Sequence, residues 1–330
     1  MKSDLVDVIN QMQGKKILVI GDMVADVYLH GTISRISREA PVLVLEQAEE
    51  KIIAGGAANV VHNIATLGGA VWAVGLLGKD KAGTGLEEIF AEKSVHIEGL
   101  LTVENWSTIT KTRIIAGGAA TVSQQIVRID KENNMAMSAA VEAKLMNSLA
   151  DILKNVDGVV LSDYGSGTIT GSIKKQIIYN CKKRNIPCMV DSRYDLLSFA
   201  GVDYVKQNDA EASANVGFII KNEESLLEAG AILLEKMQAK GVLITRGDKG
   251  MTLFESNGAV HNIPVSSRSE VFDVSGAGDT CVAAMILALS AGVEPALAAE
   301  ISNIASGIAV RKLGTATVSA AELKNVIGDL

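Results

Sequence analysis

Short apolar runs bounded by Gly or Asp alternate along this chain with longer stretches whose apolar residues recur at helical spacing. The β-branched runs predict strands at Lys16 to Ile20, Val71 to Leu76, Gly158 to Leu161, Cys188 to Val190, Tyr204 to Val205 and Val242 to Thr245. These runs are apolar almost throughout, as strands covered on both faces must be. The helical period predicts helices over Ala57 to Leu67, Ser138 to Leu153, Glu223 to Gln238, Gly278 to Ser290 and Pro295 to Leu313, with Pro295 suited to a first turn. Strand and helix in alternation imply an α/β fold: a central, mostly parallel sheet flanked by helices, with ligands beyond the carboxyl ends of the strands.

Two stretches break this rhythm. From about Tyr28 to Ile53, and again from Thr108 to Asp130, the chain reads as strands with alternating polar and apolar positions and no helix between them. A small separate sheet built from both segments is expected. Such a sheet cannot bury its apolar face alone, so it should serve as a lid over the site or pair with a second copy in a homodimer. The pentapeptide AGGAA occurs at Ala54 to Ala58 and at Ala116 to Ala120, but the flanking residues differ and no internal repeat is implied. With no Pro-rich linker, residues 1–330 are expected to form one domain carrying the two lid segments.

Composition narrows the classes of function. At 330 residues and 48% hydrophobic content the chain can bury a large core, which excludes a disordered or fibrous protein. A net charge of -7 without blocks of like charge argues against nucleic acid as a partner. No apolar run is long enough to span a bilayer, and the N-terminus lacks an apolar targeting core, so no membrane association is expected. The 3 cysteines, Cys181, Cys188 and Cys281, are scattered and read as reduced packing residues of a cytoplasmic protein.

The main chemical feature is DVSGAGDTCVAAMILALSAG, Asp273 to Gly292, where a glycine-rich turn opens into a long apolar helix. Amides at the start of that helix, around Gly276, Ala277 and Gly278, would form an anion hole for a transferring phosphoryl group. Asp279 lies in the first turn and could take a proton from an attacking hydroxyl, a task for which a weak, well-placed carboxylate suffices. The same residues could simply cap a helix.

Other candidates also fall at element ends. Gly55 and Gly56 allow close backbone approach at a helix start, and Asn59 follows on that helix. Asp22 and Asp26 lie just past a buried strand, where a carboxylate needs solvent or a polyol. Glu211 follows Asn208 in NDAE, which is also a plausible helix first turn. No GxxxxGK[ST] occurs, which disfavours a P-loop, and GSG at Gly165 to Gly167 lacks the dinucleotide fingerprint.

Together these motifs resemble the ribokinase-like (PfkB) carbohydrate kinases over essentially the whole chain. DVSGAGDT is similar to the family's C-terminal motif, in which the Asp after the second Gly, here Asp279, is the catalytic base. GGAANVVHNIATLGG, Gly55 to Gly69, resembles the second family motif, whose Asn, here Asn59, helps hold the sugar. GDMVAD resembles the strand-end motif whose final Asp, here Asp26, binds sugar hydroxyls, and Asp22 stands beside it. NDAE fits the NxxE pattern, in which Glu211 would organise Mg²⁺ through water. LITRGDKGM is similar to the turn where Thr245 and Gly247, with Gly250 closing it, border ATP, and Asn303 matches a position near the adenine. The resemblance thus implies a sugar kinase using ATP and Mg²⁺, with a monovalent cation such as K⁺ near the glycine turn.

Within the family, TISRISREAPVLVLE with Arg35, ITKTR with Lys111 and Arg113, LSDYGSG with Asp163, and KLGTATVSAAEL look like the heptose 7-phosphate kinase branch. That likeness implies phosphorylation of the anomeric hydroxyl of a seven-carbon sugar phosphate. Lys111 and Arg113 would suit the substrate phosphate, or would face water on alternate positions of a strand. The chain departs from the branch in GGAATVS before Gln124 and Gln125, where an Arg-Asn pair is usual. It departs again in Ser192-Arg193 after Asp191 and in Lys206-Gln207 before Asn208, where Pro-Lys and Thr-Pro are usual. Relatives often carry a nucleotidyltransferase domain, but the sequence ends soon after KLGTAT and its 4 histidines are isolated, so adenylyl transfer is not expected. A kinase for another sugar, sugar phosphate or nucleoside, or a non-catalytic binding protein, remains open, although 4% aromatic content offers little stacking surface for a nucleoside base.

Overall fold

The structure is a computed structural model that describes residues 2–117, 123–133, 135–265 and 272–329. In chain order its strands are β1 (Lys16–Gly21), β2 (Met23–Ile36), β3 (Leu43–Gly56), β4 (Ala70–Gly78), β5 (His96–Val103), β6 (Ile109–Gly117) and β7 (Gln124–Lys131). They continue with β8 (Gly158–Asp163), β9 (Cys188–Ser192), β10 (Tyr204–Asn208), β11 (Gly241–Thr245), β12 (Met251–Glu255) and β13 (Val260–Ile263). Among the described residues these strands make a nine-stranded sheet, in the order β13-β12-β11-β10-β9-β8-β1-β4-β5, and a four-stranded sheet, β3-β2-β6-β7. All pairings in the large sheet are parallel except those of β12 with β11 and β13.

Strand alternation sorts side chains onto two faces, which explains why the core strands read as unbroken apolar runs. Ile17 and Val19 of β1 join one core cluster, while Leu18 and Ile20 join the other. Leu243 of β11 likewise faces the first cluster, and Val242 and Ile244 face the second. The first cluster takes in the helices Ala57–Thr66, Ala277–Ser290 and Pro295–Ala309; the second takes in Ala139–Ile152, Gly171–Arg184 and Glu223–Met237. Helix Ala277–Ser290 is buried from Asp279 to Leu289, so its polar first turn is presented to the interior and needs partners there.

The smaller sheet arises from the two segments that break the α/β rhythm. Its strands run further than the sequence pattern suggests: β2 begins at Met23, and β3 continues to Gly56, directly before helix Ala57–Thr66. The sheet therefore grows out of the large one, with β2 pairing antiparallel to β3 and parallel to β6. The second AGGAA copy begins at the end of β6, but residues 118–122, which hold its last three residues and most of GGAATVS, lie outside the described residues. The helix expected to reach Leu313 ends at Ala309, where Val310 caps it, and Gly314 then takes a positive φ of 72°.

Asp22, between β1 and β2, corrects an expectation. It is fully buried, and its carboxylate accepts from the amides of Tyr164 (2.8 Å), Ser166 (3.1 Å) and Thr168 (3.3 Å). Buried and bonded to three amides of one loop, it is not a solvated loop carboxylate; it fixes the loop that follows β8. Asp22→Ala would leave three loop amides, that of Thr168 buried and those of Tyr164 and Ser166 half-buried, without their acceptor and is expected to lower unfolding stability by roughly 2 kcal/mol, read as a lower urea midpoint at unchanged slope.

Candidate active site

The site is assembled at the carboxyl ends of β1, β8, β9, β10 and β11, around the start of helix Ala277–Ser290. Gly276 caps that helix in the left-handed region (φ 78°), and a Cβ there would stand 2.6 Å from Asn59 Nδ2. The close approach puts Asn59 against the base candidate: Asn59 Nδ2 donates to Asp279 Oδ2 at 2.8 Å. The hydroxyl of Tyr164 donates to Oδ1 at 3.0 Å. Behind them Asn63 donates to Asn59 Oδ1 (3.0 Å), and Thr280 donates to Asn63 Oδ1 (3.2 Å). A polar ladder thus joins helices Ala57–Thr66 and Ala277–Ser290 across an otherwise apolar contact.

Burial pushes the Asp279 carboxyl up to about 6, and the neighbouring Asp191 charge adds to the rise. Asn59, Lys206 and Tyr164 work in the opposite direction by favouring the ionised form. The anion hole is narrower than expected, because the Ala277 amide is committed to the Val274 carbonyl at 3.3 Å. Gly278 and Asp279 occupy first-turn positions whose amides have no acceptor within the helix.

A cleft of about 140 Å³ beside Asp279 is lined by Asp163, Tyr164, Asp191, Arg193, Lys206, Glu211, Gly276 and Gly278. Lys206 Nζ lies 2.9 Å from Asp191 Oδ2, and a Cβ on Gly278 would come within 2.7 Å of it. Burial works against the Lys206 ammonium, but Asp191 and Glu211 outweigh it and hold the group charged well above the ordinary lysine range. Glu211 reaches the cleft because helix Asp209–Val216 starts with a capping box: Asn208 Oδ1 accepts from the Glu211 amide (2.8 Å), and Glu211 Oε2 accepts from the Asn208 amide (2.9 Å). The Glu211 carboxyl is itself raised, chiefly by burial, with Lys206 opposing. Asn208 accordingly serves as a helix cap, and it does not line the cleft. Ser192 and Gln207, two of the departures from the branch pattern, fit one another, since Gln207 Nε2 donates to the Ser192 carbonyl (2.8 Å) while Ser192 Oγ donates to Asp163 (2.6 Å).

Asp26, Lys111 and Arg113 converge beside this cleft. Asp26 accepts from Arg113 Nη1 at 2.6 Å and from Thr315 Oγ1 at 2.7 Å, which ties β2, β6 and the KLGTAT segment together. Lys111 Nζ lies over the Tyr164 ring, 4.9 Å from its centre. Both cations face inward, so the solvated-strand reading does not hold, but Arg113 is paired with Asp26 and is not a free phosphate receptor. Gly55 abuts Asp26, where a Cβ would sit 2.7 Å from Oδ2, and Gly56 caps helix Ala57–Thr66. Tyr28, Tyr164, Lys206 and Arg193 went unremarked as site residues; a buried Tyr28 hydroxyl without a hydrogen-bond partner among the described residues is a further polar group on this side.

A second, more apolar cleft of about 260 Å³ meets the first at Gly278. Thr245, Gly247, Gly250 and Asn303 line it with Met251, Val265, Val274, Cys281 and Val310, a slot suited to a flat heterocycle. Asn303 is partly committed, its Nδ2 donating to the Pro264 carbonyl at 2.6 Å. The hairpin reading of Thr-Arg-Gly-Asp also holds, since β11 and β12 are antiparallel across it. The three cysteines are buried free thiols, and Cys281 lines this cleft as well as packing.

Residues 14–322 match the sequence profile described as pfkB family carbohydrate kinase. The chain belongs to that family. This kinase is 37% identical over 327 residues to the bifunctional protein HldE of Pelobacter propionicus, covering 99% of this chain and 66% of the relative. It is 40% identical over 312 residues to HldE of Geobacter metallireducens, covering 94% and 62%. The chain thus spans somewhat less than two thirds of the length of these relatives. Its fold matches Arabidopsis thaliana ribokinase complexed with ribose and ATP (TM-score 0.75, 21% identity, 96% of this chain and 99% of that one). It also matches Escherichia coli phosphofructokinase-2 in complex with substrates and products (TM-score 0.77, 20% identity, 96% and 99%). The protein is therefore a carbohydrate kinase of this family.

The raised Asp279 value carries a stability consequence. Because the folded value of about 6 exceeds the unfolded carboxylate value of 3.8, the contribution of this group is fully present below about pH 4 and is lost as pH rises through 6. Asp279→Asn removes that loss. Its melting temperature relative to the unmodified protein is expected to climb as pH goes from 4 to 7 and then level off, as measured by thermal scans across pH.

Proposed function

We propose that this kinase transfers the γ-phosphate of ATP to the anomeric hydroxyl of D-glycero-D-manno-heptose 7-phosphate, giving the 1,7-bisphosphate. The observation that carries the substrate class is the charge beside the base. Lys111 is half-buried on the Tyr164 side of Asp279; the carboxylates within electrostatic reach of it, Asp26 and Asp130, are already paired with Arg113 and Arg128, which leaves Lys111 and Arg193 as the excess positive charge. A concentration of cations there favours a sugar that already bears a phosphate. The resemblance to the heptose 7-phosphate kinase branch selects the heptose among such sugars, and the HldE relatives support it.

In this reading Asp26 and Asn59 orient the sugar, with Arg113 and Thr315 fixing the Asp26 carboxylate. Asp279 accepts the hydroxyl proton as the oxygen attacks in line. The Gly278 and Asp279 amides and the Lys206 ammonium face the charge that develops on the transferring group. The apolar cleft takes the adenine. Mg²⁺ would supply charge neutralisation on the phosphates. The cleft fits it, since Asp191 and Glu211 share one wall and this ion needs only one or two carboxylates beside phosphates and water. A potassium requirement is part of the reading, supported by the family resemblance and by the potassium complex of Escherichia coli phosphofructokinase-2. Pairing of two copies through the smaller sheet is supported by its outward face, where Val127 and Ile129 of β7 are 45% and 54% exposed. Ile129→Glu should then convert a dimer to a monomer in sedimentation.

The deciding experiment is a coupled ADP-release assay against sugars, sugar phosphates and nucleosides. Heptose 7-phosphate should turn over, with kcat/KM falling on the acid side of about pH 6 as Asp279 protonates. Asp279→Asn should lower kcat by roughly 10²- to 10⁴-fold. Turnover confined to another sugar would discard the heptose; ATP binding without turnover on any acceptor would point to a binding protein.

A further inference from the structure

Tyr164 stands in the loop after β8 and belongs to none of the motifs that mark the base or the nucleotide. Its hydroxyl reaches Asp279 Oδ1 at 3.0 Å, its amide is held by the buried Asp22 at 2.8 Å, and its ring forms part of the cleft wall. On the other side of the ring stands the Lys111 ammonium of β6, 4.9 Å from the centre. The residue therefore touches the base and the smaller sheet at once.

We infer that Tyr164 is a positioning residue: its hydroxyl orients the Asp279 carboxylate toward the cleft, and its ring makes that orientation depend on the placement of Lys111 in the smaller sheet. The inference rests on the kinase reading above for its catalytic meaning, but the contact itself does not. Tyr164 is a donor only. Burial, and then the Asp279 charge, raise its phenol well above the ordinary tyrosine value, so it keeps its own proton. The O–H bond of the sugar breaks with its proton passing to Asp279, and none passes to Tyr164. Other groups facing this pair are Asn59 from helix Ala57–Thr66, Asp191 and Lys206 from the large sheet, and Asp26 from β2. Asp191 disfavours the ionised base, and Asn59 and Lys206 favour it. Tyr164 is the donor among them that also contacts the smaller sheet.

Tyr164→Phe keeps the ring and the Lys111 contact but deletes the donor. In the full chain the acid limb of kcat/KM should move to higher pH. The loss relative to the unmodified kinase should be about tenfold greater at pH 5.5 than at pH 8.5, with KM for ATP unchanged. Thermal unfolding gives a readout that needs no turnover. The hydrogen bond favours the ionised carboxylate, so the melting deficit of Tyr164→Phe should be larger at pH 8 than at pH 5. A pH profile displaced only downward, or a melting deficit equal at both pH values, would overturn the positioning role. Lys111→Met should shift the acid limb in the same direction, and the double variant should shift it by less than the sum; full additivity would sever the link to the smaller sheet. An unmodified protein that phosphorylates no acceptor would defeat the kinase reading, while the unfolding comparison would still decide the inference.

Discussion

A carboxylate removed from water at the start of an apolar helix must be held by donors, and most of the site follows from how that demand is met. Both oxygens of Asp279 are occupied, one by Asn59 of helix Ala57–Thr66 and one by Tyr164 of the loop after β8. Each donor is fixed in turn. Asn59 is backed by Asn63 and Thr280, and the Tyr164 loop is pinned by Asp22. A group this buried would otherwise be neutral at physiological pH. The donors and the Lys206 charge leave it near 6, ionised at neutral pH yet basic enough to accept a proton.

The same balance of charge explains the wall of the first cleft. Asp163, Asp191, Glu211 and Asp279 are gathered where phosphates would have to lie, an arrangement that would repel its own substrate without cations. Lys206 supplies one at Gly278, where the missing side chain leaves room for the ammonium. It takes the place of a threonine in the branch pattern, and Arg193 takes the place of a lysine nearby. This wall thus carries two cations where the branch pattern has one. Ser192 and Gln207 replace prolines as a bonded pair, so the second change accommodates the first.

The smaller sheet is more than a cover. Its long strands emerge from the large sheet at Met23 and return to it at Gly56, so that Asp26, Lys111 and Arg113 are delivered to the site from a continuous framework. Arg113 is consumed in holding Asp26, and Lys111 rests on Tyr164. One face of this sheet is therefore bound to the state of the site, while the other exposes apolar residues to a partner or to solvent.

Local chemistry was enough to mark some of this. Apolar runs placed the core strands, because a strand covered on both faces has no polar positions to lose. The glycine-rich turn and the Asp279 that follows it were legible too, since a helix start that must admit an anion needs residues without side chains. The roles of Asp22, Asn208 and Arg113 were not. Each carries a charge or amide that could serve a ligand equally well, and only the fold shows that backbone amides, a helix start and a neighbouring carboxylate have claimed them. Tyr164 and Asn59 lie 115 and 220 residues from Asp279 in the chain, and no periodicity connects them. What the sequence determined by itself was the layered architecture and the chemistry of single motifs; which polar groups remain available to a substrate was decided by tertiary structure, because hydrogen-bond partners are chosen by proximity in space.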